Sequence, residues 1–276
     1  MTPYLTLDVF TSAPFAGNPL AVIPDATALP EAALQRIATE FNYSETTFVF
    51  PPEDPENTAK VRIFTPTMEV PFAGHPLIGT AVALARAGHG PEMVLELGVG
   101  PIRATATPQE ARFTTEVALQ VIARPDPALT ARALSLPETA LAAPPVMASV
   151  GLPFTLTELT SRAALTACAP DTAAFKDGAA AHPSSLDFAQ FAYWRDGATI
   201  HARMFAPLDN IPEDPATGSA CAALGAWLTS QHGAQSLTIH QGDDMGRPSR
   251  IGVETTETAV TISGAAVPMM EGRLNI

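Results

Sequence analysis

Cysteine is almost missing from this 276-residue chain: there are two, Cys168 and Cys221, and no CxxC pair. That excludes a disulfide scaffold and points to a reducing compartment, so a cytoplasmic protein is expected. Basic residues are also scarce. Fifteen Lys and Arg stand against 28 Asp and Glu, for a net charge of -13. Such a field repels nucleic acid and anionic membrane surfaces, and neither is an expected partner. It also opposes an anionic substrate, so any anion site must be built locally from helix N-termini or backbone N–H groups. No run of about 18 apolar residues is present to suit a spanning helix. The first ten residues have no basic segment ahead of their apolar ones and predict a strand, not a signal peptide. Charged residues are only 16% against 46% hydrophobic, which excludes a disordered chain or a coiled coil and supplies a sizeable core.

Familiar catalytic signatures are missing too. There is no GxxxxGK(S/T) phosphate loop and no GxSxG elbow. Gly98-Val99-Gly100 lacks the third glycine of a dinucleotide fingerprint. The six histidines show no metal-like spacing such as HExxH, so no metal is expected.

The length suits two domains. Tyr4–Phe10 alternates as a strand, and Leu20–Ile23 predicts a second. Pro30-Glu31 opens a helix to about Phe41, with Ala33, Leu34, Ile37, Ala38 and Phe41 on one face. Asn42–Glu45 is expected as the loop after it, followed by strands at Thr46–Phe50 and Lys60–Phe64. Residues 91–165 are expected as short strands with turns, and 167–188 as containing a loop.

One similarity is internal. Arg62-Ile63-Phe64-Thr65-Pro66 recurs as Arg203-Met204-Phe205-Ala206-Pro207. Each copy is followed by a glycine turn, Ala73-Gly74-His75-Pro76 or Pro215-Ala216-Thr217-Gly218-Ser219, and then by a small-residue helix. Neither helix has a polar stripe, and a helix apolar all round is buried all round. Chance is one reading of the pentapeptides, but the matching turn and helix argue against it. Two pseudo-symmetric halves follow, each a curled antiparallel sheet around a central helix, with the helix N-termini facing a cleft.

Several residues are candidates for chemistry. If Gly74-His75 and Thr217-Gly218-Ser219 begin their helices, free N–H groups there suit a carboxylate; ordinary glycine turns are the plainer reading. Glu45 is a solvated loop carboxylate or, if buried, an acid/base with a raised pKa. Asp214 reads as an N-cap or a substrate group. His75 reads as a cap, a core residue or a member of the site.

At this point a family is recognisable. Pro14–Val22, Phe41–Phe48, Arg62–Pro66, Pro71–Pro76, Glu213–Ala220 and Gln241-Gly242 with Met245–Arg250 resemble, in order, the phenazine-biosynthesis PhzF-like family. The resemblance implies an α+β, diaminopimelate-epimerase-like fold with the site between two domains. The domains implied are 1–118 plus 263–276, and 119–262. It also implies a homodimer and a cofactor-independent isomerase acting on a small anionic, carboxylate-bearing substrate. By motif, the proton-shuttling glutamate falls on Glu45, with His75 and Asp214 as helpers. Gly74, Gly218 and Ser219 fall on the backbone grip, and Asn18 and Ser44 lie beside it. Related racemases use a cysteine at each central-helix start; the matching positions here resemble Ala73 and Asp214. A racemase, epimerase or hydratase on the same scaffold, or a non-catalytic binding protein, are the alternative readings.

Overall fold

The computed structural model describes residues 1–276. The chain divides into two units, Met1–Thr115 with Thr261–Ile276, and Glu116–Val260. The first contains β1 (Thr2–Val9), β2 (Asn18–Ile23), α1 (Glu31–Phe41), β3 (Glu45–Phe50), β4 (Ala59–Phe64) and β5 (Glu69–Val70). It continues through α2 (Gly74–Arg86), β6 (Glu92–Leu97), β7 (Gly100–Ala106) and β8 (Glu110–Thr115). The second contains β9 (Gln120–Ala123), α3 (Pro127–Ala133), β10 (Val146–Ser149), β11 (Pro153–Glu158), α4 (Arg162–Ala167) and α5 (Thr172–Ala181). β12 (Gln190–Asp196), β13 (Thr199–Ala206), β14 (Ile211–Asp214), α6 (Gly218–His232), β15 (Ser236–Gln241) and β16 (Ser249–Thr255) complete it. The last strand, β17 (Val260–Leu274), lies almost wholly in the first unit.

In the first unit β1, β2, β3, β4, β6, β7, β8 and β17 pair in succession, and β17 returns to β1, closing a barrel. Pairing is antiparallel except for β2–β3 and β4–β6. The helix α2 packs against β1, β2, β3, β7 and β8, and every residue from Gly74 to Leu84 is buried. That is the environment an all-apolar helix requires, because it has no face to offer water. The amphipathic α1 instead packs one face on β3 and β4, burying Leu34, Ile37 and Ala38.

The second unit repeats the scheme. Strands β9, β10, β11, β12, β13, β15 and β16 pair in succession, with β11–β12 and β13–β15 parallel. The helix α6 packs against β10, β11 and β16. It is buried through Gly225 apart from half-buried Ser219, and then emerges, with Ser230 exposed.

Two expectations need correction. Glu45 is not in a loop but opens β3, because it pairs with Leu20 across the parallel β2–β3 ladder. The stretch expected as short strands with turns also contains α3 and the start of α4, and 167–188 holds α5 as well as the expected loop. All three helices have a side-chain N-cap: Asp126 accepts from the Leu129 N–H, Ser161 from Ala164, and Asp171 from Ala173 and Ala174. No helix is long and apolar enough to cross a membrane.

Candidate active site

Three element beginnings converge in the first unit. Asn18 opens β2, Glu45 opens the parallel β3, and His75 is the second residue of α2. His75 Nε2 lies 3.5 Å from Glu45 Oε2, with the two side chains 5% and 15% exposed. On the other edge of the ring, Nδ1 faces the Asn18 amide nitrogen at 3.4 Å. The Ser44 hydroxyl donates to Asn18 Oδ1 at 2.8 Å. Four predicted residues, Asn18, Ser44, Glu45 and His75, are thus one connected group.

Burial pushes His75 down from 6.5 to about 3; hydrogen bonding to the Pro19 backbone opposes this weakly. The imidazole is therefore neutral at physiological pH and is not the cationic partner of a salt bridge. A neutral ring has one N–H and one acceptor nitrogen. The ring donates to the Pro19 backbone and Nε2 makes no hydrogen bond, so the proton sits on Nδ1 and Nε2 faces Glu45 with its lone pair. Gly74 is the first residue of α2, whose N-cap, Ala73, has no side chain to cap with and whose first turn has no acid. The first-turn N–H groups and the helix dipole there favour an anion.

The second unit places Asp214 at the end of β14 and Gly218-Ser219 at the start of α6. Asp214 is buried, and it is not the N-cap; that position belongs to Thr217. Nor does Thr217 cap the helix with its side chain, because its hydroxyl donates to Asp214 Oδ2 at 2.5 Å. Gln241, at the end of β15, completes the group. Its Nε2 donates to the Asp214 carbonyl at 2.7 Å and to Thr217 Oγ1 at 2.9 Å, and its Oε1 accepts from the Thr217 N–H at 3.1 Å. Ser249 donates to the carbonyl of Pro215 at 2.8 Å, fixing the same turn from below. Thr217 was expected only as part of the helix-start turn, and Gln241 was not an expected site residue. The Gln241-Gly242 pair stood out by motif, but a strand-end glutamine gives no sign of what it grips.

The two cysteines are poor bases. Burial pushes the Cys168 thiol up to about 12 and Cys221, in the core of α6, well above its usual range. Both stay protonated, so neither supplies a thiolate. No group of three or more His, Cys, Asp or Glu converges in a way that would hold a metal.

The family model described as phenazine biosynthesis-like protein, PhzC-PhzF, matches residues 7–272. An uncharacterized isomerase of Mesorhizobium japonicum is 37% identical, across 99% of this chain and 98% of its own length. The trans-2,3-dihydro-3-hydroxyanthranilate isomerase of Pseudomonas aeruginosa is 34% identical, across 99% of both chains. A phenazine biosynthesis protein of the PhzF family from Bacillus anthracis has the same fold, with a TM-score of 0.88 at 23% identity over 100% of this chain and 99% of that one. The architecture extends to a protein of Agrobacterium radiobacter described as a probable proline racemase, with a TM-score of 0.64 at 16% identity over 100% of this chain and 93% of that one.

Proposed function

Since this chain belongs to the PhzC-PhzF family of phenazine biosynthesis-like proteins, an isomerase and epimerase family, we propose that it moves a proton on a small carboxylate-bearing substrate, with Glu45 as the acid and base. The observation that carries this reading is the buried approach of Glu45 Oε2 to His75 Nε2, at 3.5 Å. The ionised carboxylate takes a proton from one substrate carbon and returns it to another. One side chain suffices for both steps, since each leaves it ready for the next. Neutral His75 packs beside the carboxylate, Nε2 facing Oε2, without neutralising its charge. Asn18 and Ser44 hold the ring. The first turn of α2, from Gly74, provides N–H groups suited to the substrate carboxylate. In the second unit the first turn of α6, from Gly218-Ser219, is the counterpart candidate for an anion, and Asp214 the candidate polar group for chemistry. Inversion by two thiols has no such support, because Cys168 and Cys221 are buried and protonated.

The substrate to try first is trans-2,3-dihydro-3-hydroxyanthranilate, named for the Pseudomonas relative. In deuterated water the wild type is expected to place deuterium in the product. Glu45→Gln should lower turnover by about 10²–10⁴-fold while retaining affinity, the usual size of a general acid/base contribution. Near-normal turnover in Glu45→Gln would remove this mechanism.

A further inference from the structure

Strand register puts the two units into residue-by-residue correspondence. Arg62-Ile63-Phe64 of β4 and Arg203-Met204-Phe205 of β13 are the anchors. Ile63 pairs with Val70 of β5, and Met204 pairs with Asp214 of β14, so Val70 and Asp214 are equivalent. Ala73 and Thr217 are the N-caps of the two central helices. Two residues before each arginine, Lys60 pairs in parallel with Glu96 of β6, and His201 with His240 of β15. The next residues, Leu97 and Gln241, therefore correspond. The glycines that follow agree. A Cβ at Gly98 would fall 2.7 Å from Pro71 Cα, and one at Gly242 would fall 2.7 Å from the Pro215 carbonyl oxygen.

Asp214, Thr217 and Gln241 thus occupy the positions held by Val70, Ala73 and Leu97 in the first unit. One scaffold exists with an apolar trio and with a hydrogen-bonded polar trio. The exchange also runs the other way. Asn18 and Glu45 of the first unit correspond to Leu152 and Ala189 of the second. Each unit is polar where the other is apolar. The fold itself does not demand these polar groups, and burying them is unfavourable unless every one is paired.

The pairing in the second unit is directional. Only one orientation of the Gln241 carboxamide donates to both the Asp214 carbonyl and Thr217 Oγ1 while accepting from the Thr217 N–H. With Thr217 Oγ1 accepting from Gln241, its own proton points to Asp214 Oδ2. We propose that Gln241 is a positioning residue that aims the Asp214 carboxylate through the Thr217 hydroxyl, and that this trio is kept for chemistry and not for folding. The inference rests on the part proposed above for Asp214.

The apolar unit supplies the test variants. The triple variant Asp214→Val, Thr217→Ala, Gln241→Leu replaces all partners together, which can be nearly neutral. Its Tm is expected within about 4 °C of wild type. A Tm far below those of the single variants would overturn the claim that the fold does not need the trio. In protein labelled with [13C]aspartate, the Asp214 side-chain carboxyl resonance should move in Gln241→Leu and Thr217→Ala alike. An unmoved resonance in Gln241→Leu would break the link between Gln241 and Asp214. In the deuterium assay, Gln241→Leu should lower kcat by about 10- to 100-fold with little change in KM, as misaligned groups do. In an Asp214→Asn background the same change should have almost no further effect; equal losses in both backgrounds would count against positioning. A wild type inactive on the trial substrate counts against the proposed function alone, since the Tm and resonance measurements need no substrate.

Discussion

His75 Nε2 and Glu45 Oε2 face each other at 3.5 Å, and the histidine of the pair is uncharged. A charged imidazole would hold the carboxylate in a tight ion pair and weaken it as a base. A neutral one forms no such pair.

The pH response follows from this. Folded His75 titrates near 3 against 6.5 in the unfolded chain, so between these values the unfolded state binds the extra proton. Stability is then lost as pH falls through that window, by up to about 1.4 kcal/mol per pH unit from this group. Denaturation of the wild type and of His75→Gln across pH 3.5–7 should show a shallower acid loss in the variant. The rate profile should lack any step near 6.5 that disappears in His75→Gln.

The two repeated arginines should differ in weight. Arg203 is 11% exposed, pairs with Glu213, and donates to the carbonyls of Leu165, Thr166 and Cys168. Arg62 pairs with Glu31 and Glu69, which are 75% and 42% exposed. Arg203→Met leaves a half-buried carboxylate and several carbonyls without their donor, and should cost about 2–4 kcal/mol in urea denaturation. Arg62→Met should cost about 1 kcal/mol or less. Equal losses would contradict this division.

Gly242 and Gly246 both have positive φ, +78° and +72°, but only Gly242 is enclosed. A Cβ there would meet the carbonyl oxygens of Arg247 at 2.3 Å and Pro215 at 2.7 Å. Gly242→Ala should cost well over 2 kcal/mol and lower turnover, because the Asp214–Thr217 turn must shift. Gly246→Ala meets nothing within 4 Å and should cost only about 1 kcal/mol. Thermal unfolding and activity of the two variants, side by side, check this.

The sequence made the symmetry legible because R-x-F-x-P, a glycine turn and an apolar helix recur in the same order. The burial of α2 followed from its lack of a polar stripe. Glu45 was harder. Its strand position depends on pairing with Leu20, a partner distant in sequence, and local propensity carries no trace of it. The helices α3 and α4 are seven and six residues long, too short for a hydrophobic period to register. Their capping residues, Asp126 and Ser161, were the available signal. Gln241 was visible as part of a motif, but its role depends on two strands and a helix start meeting.

The closing of the first barrel by β17 has a consequence for how the molecule is made. Thr2 of β1 pairs with Leu274 of β17, while residues 116–260 form the other unit. On the ribosome, β1 emerges first and must wait for the last strand to be translated before its ring can close. The strands of the second unit are all translated ahead of β17, so the ring that carries Glu45 is the last to have its full set of strands available.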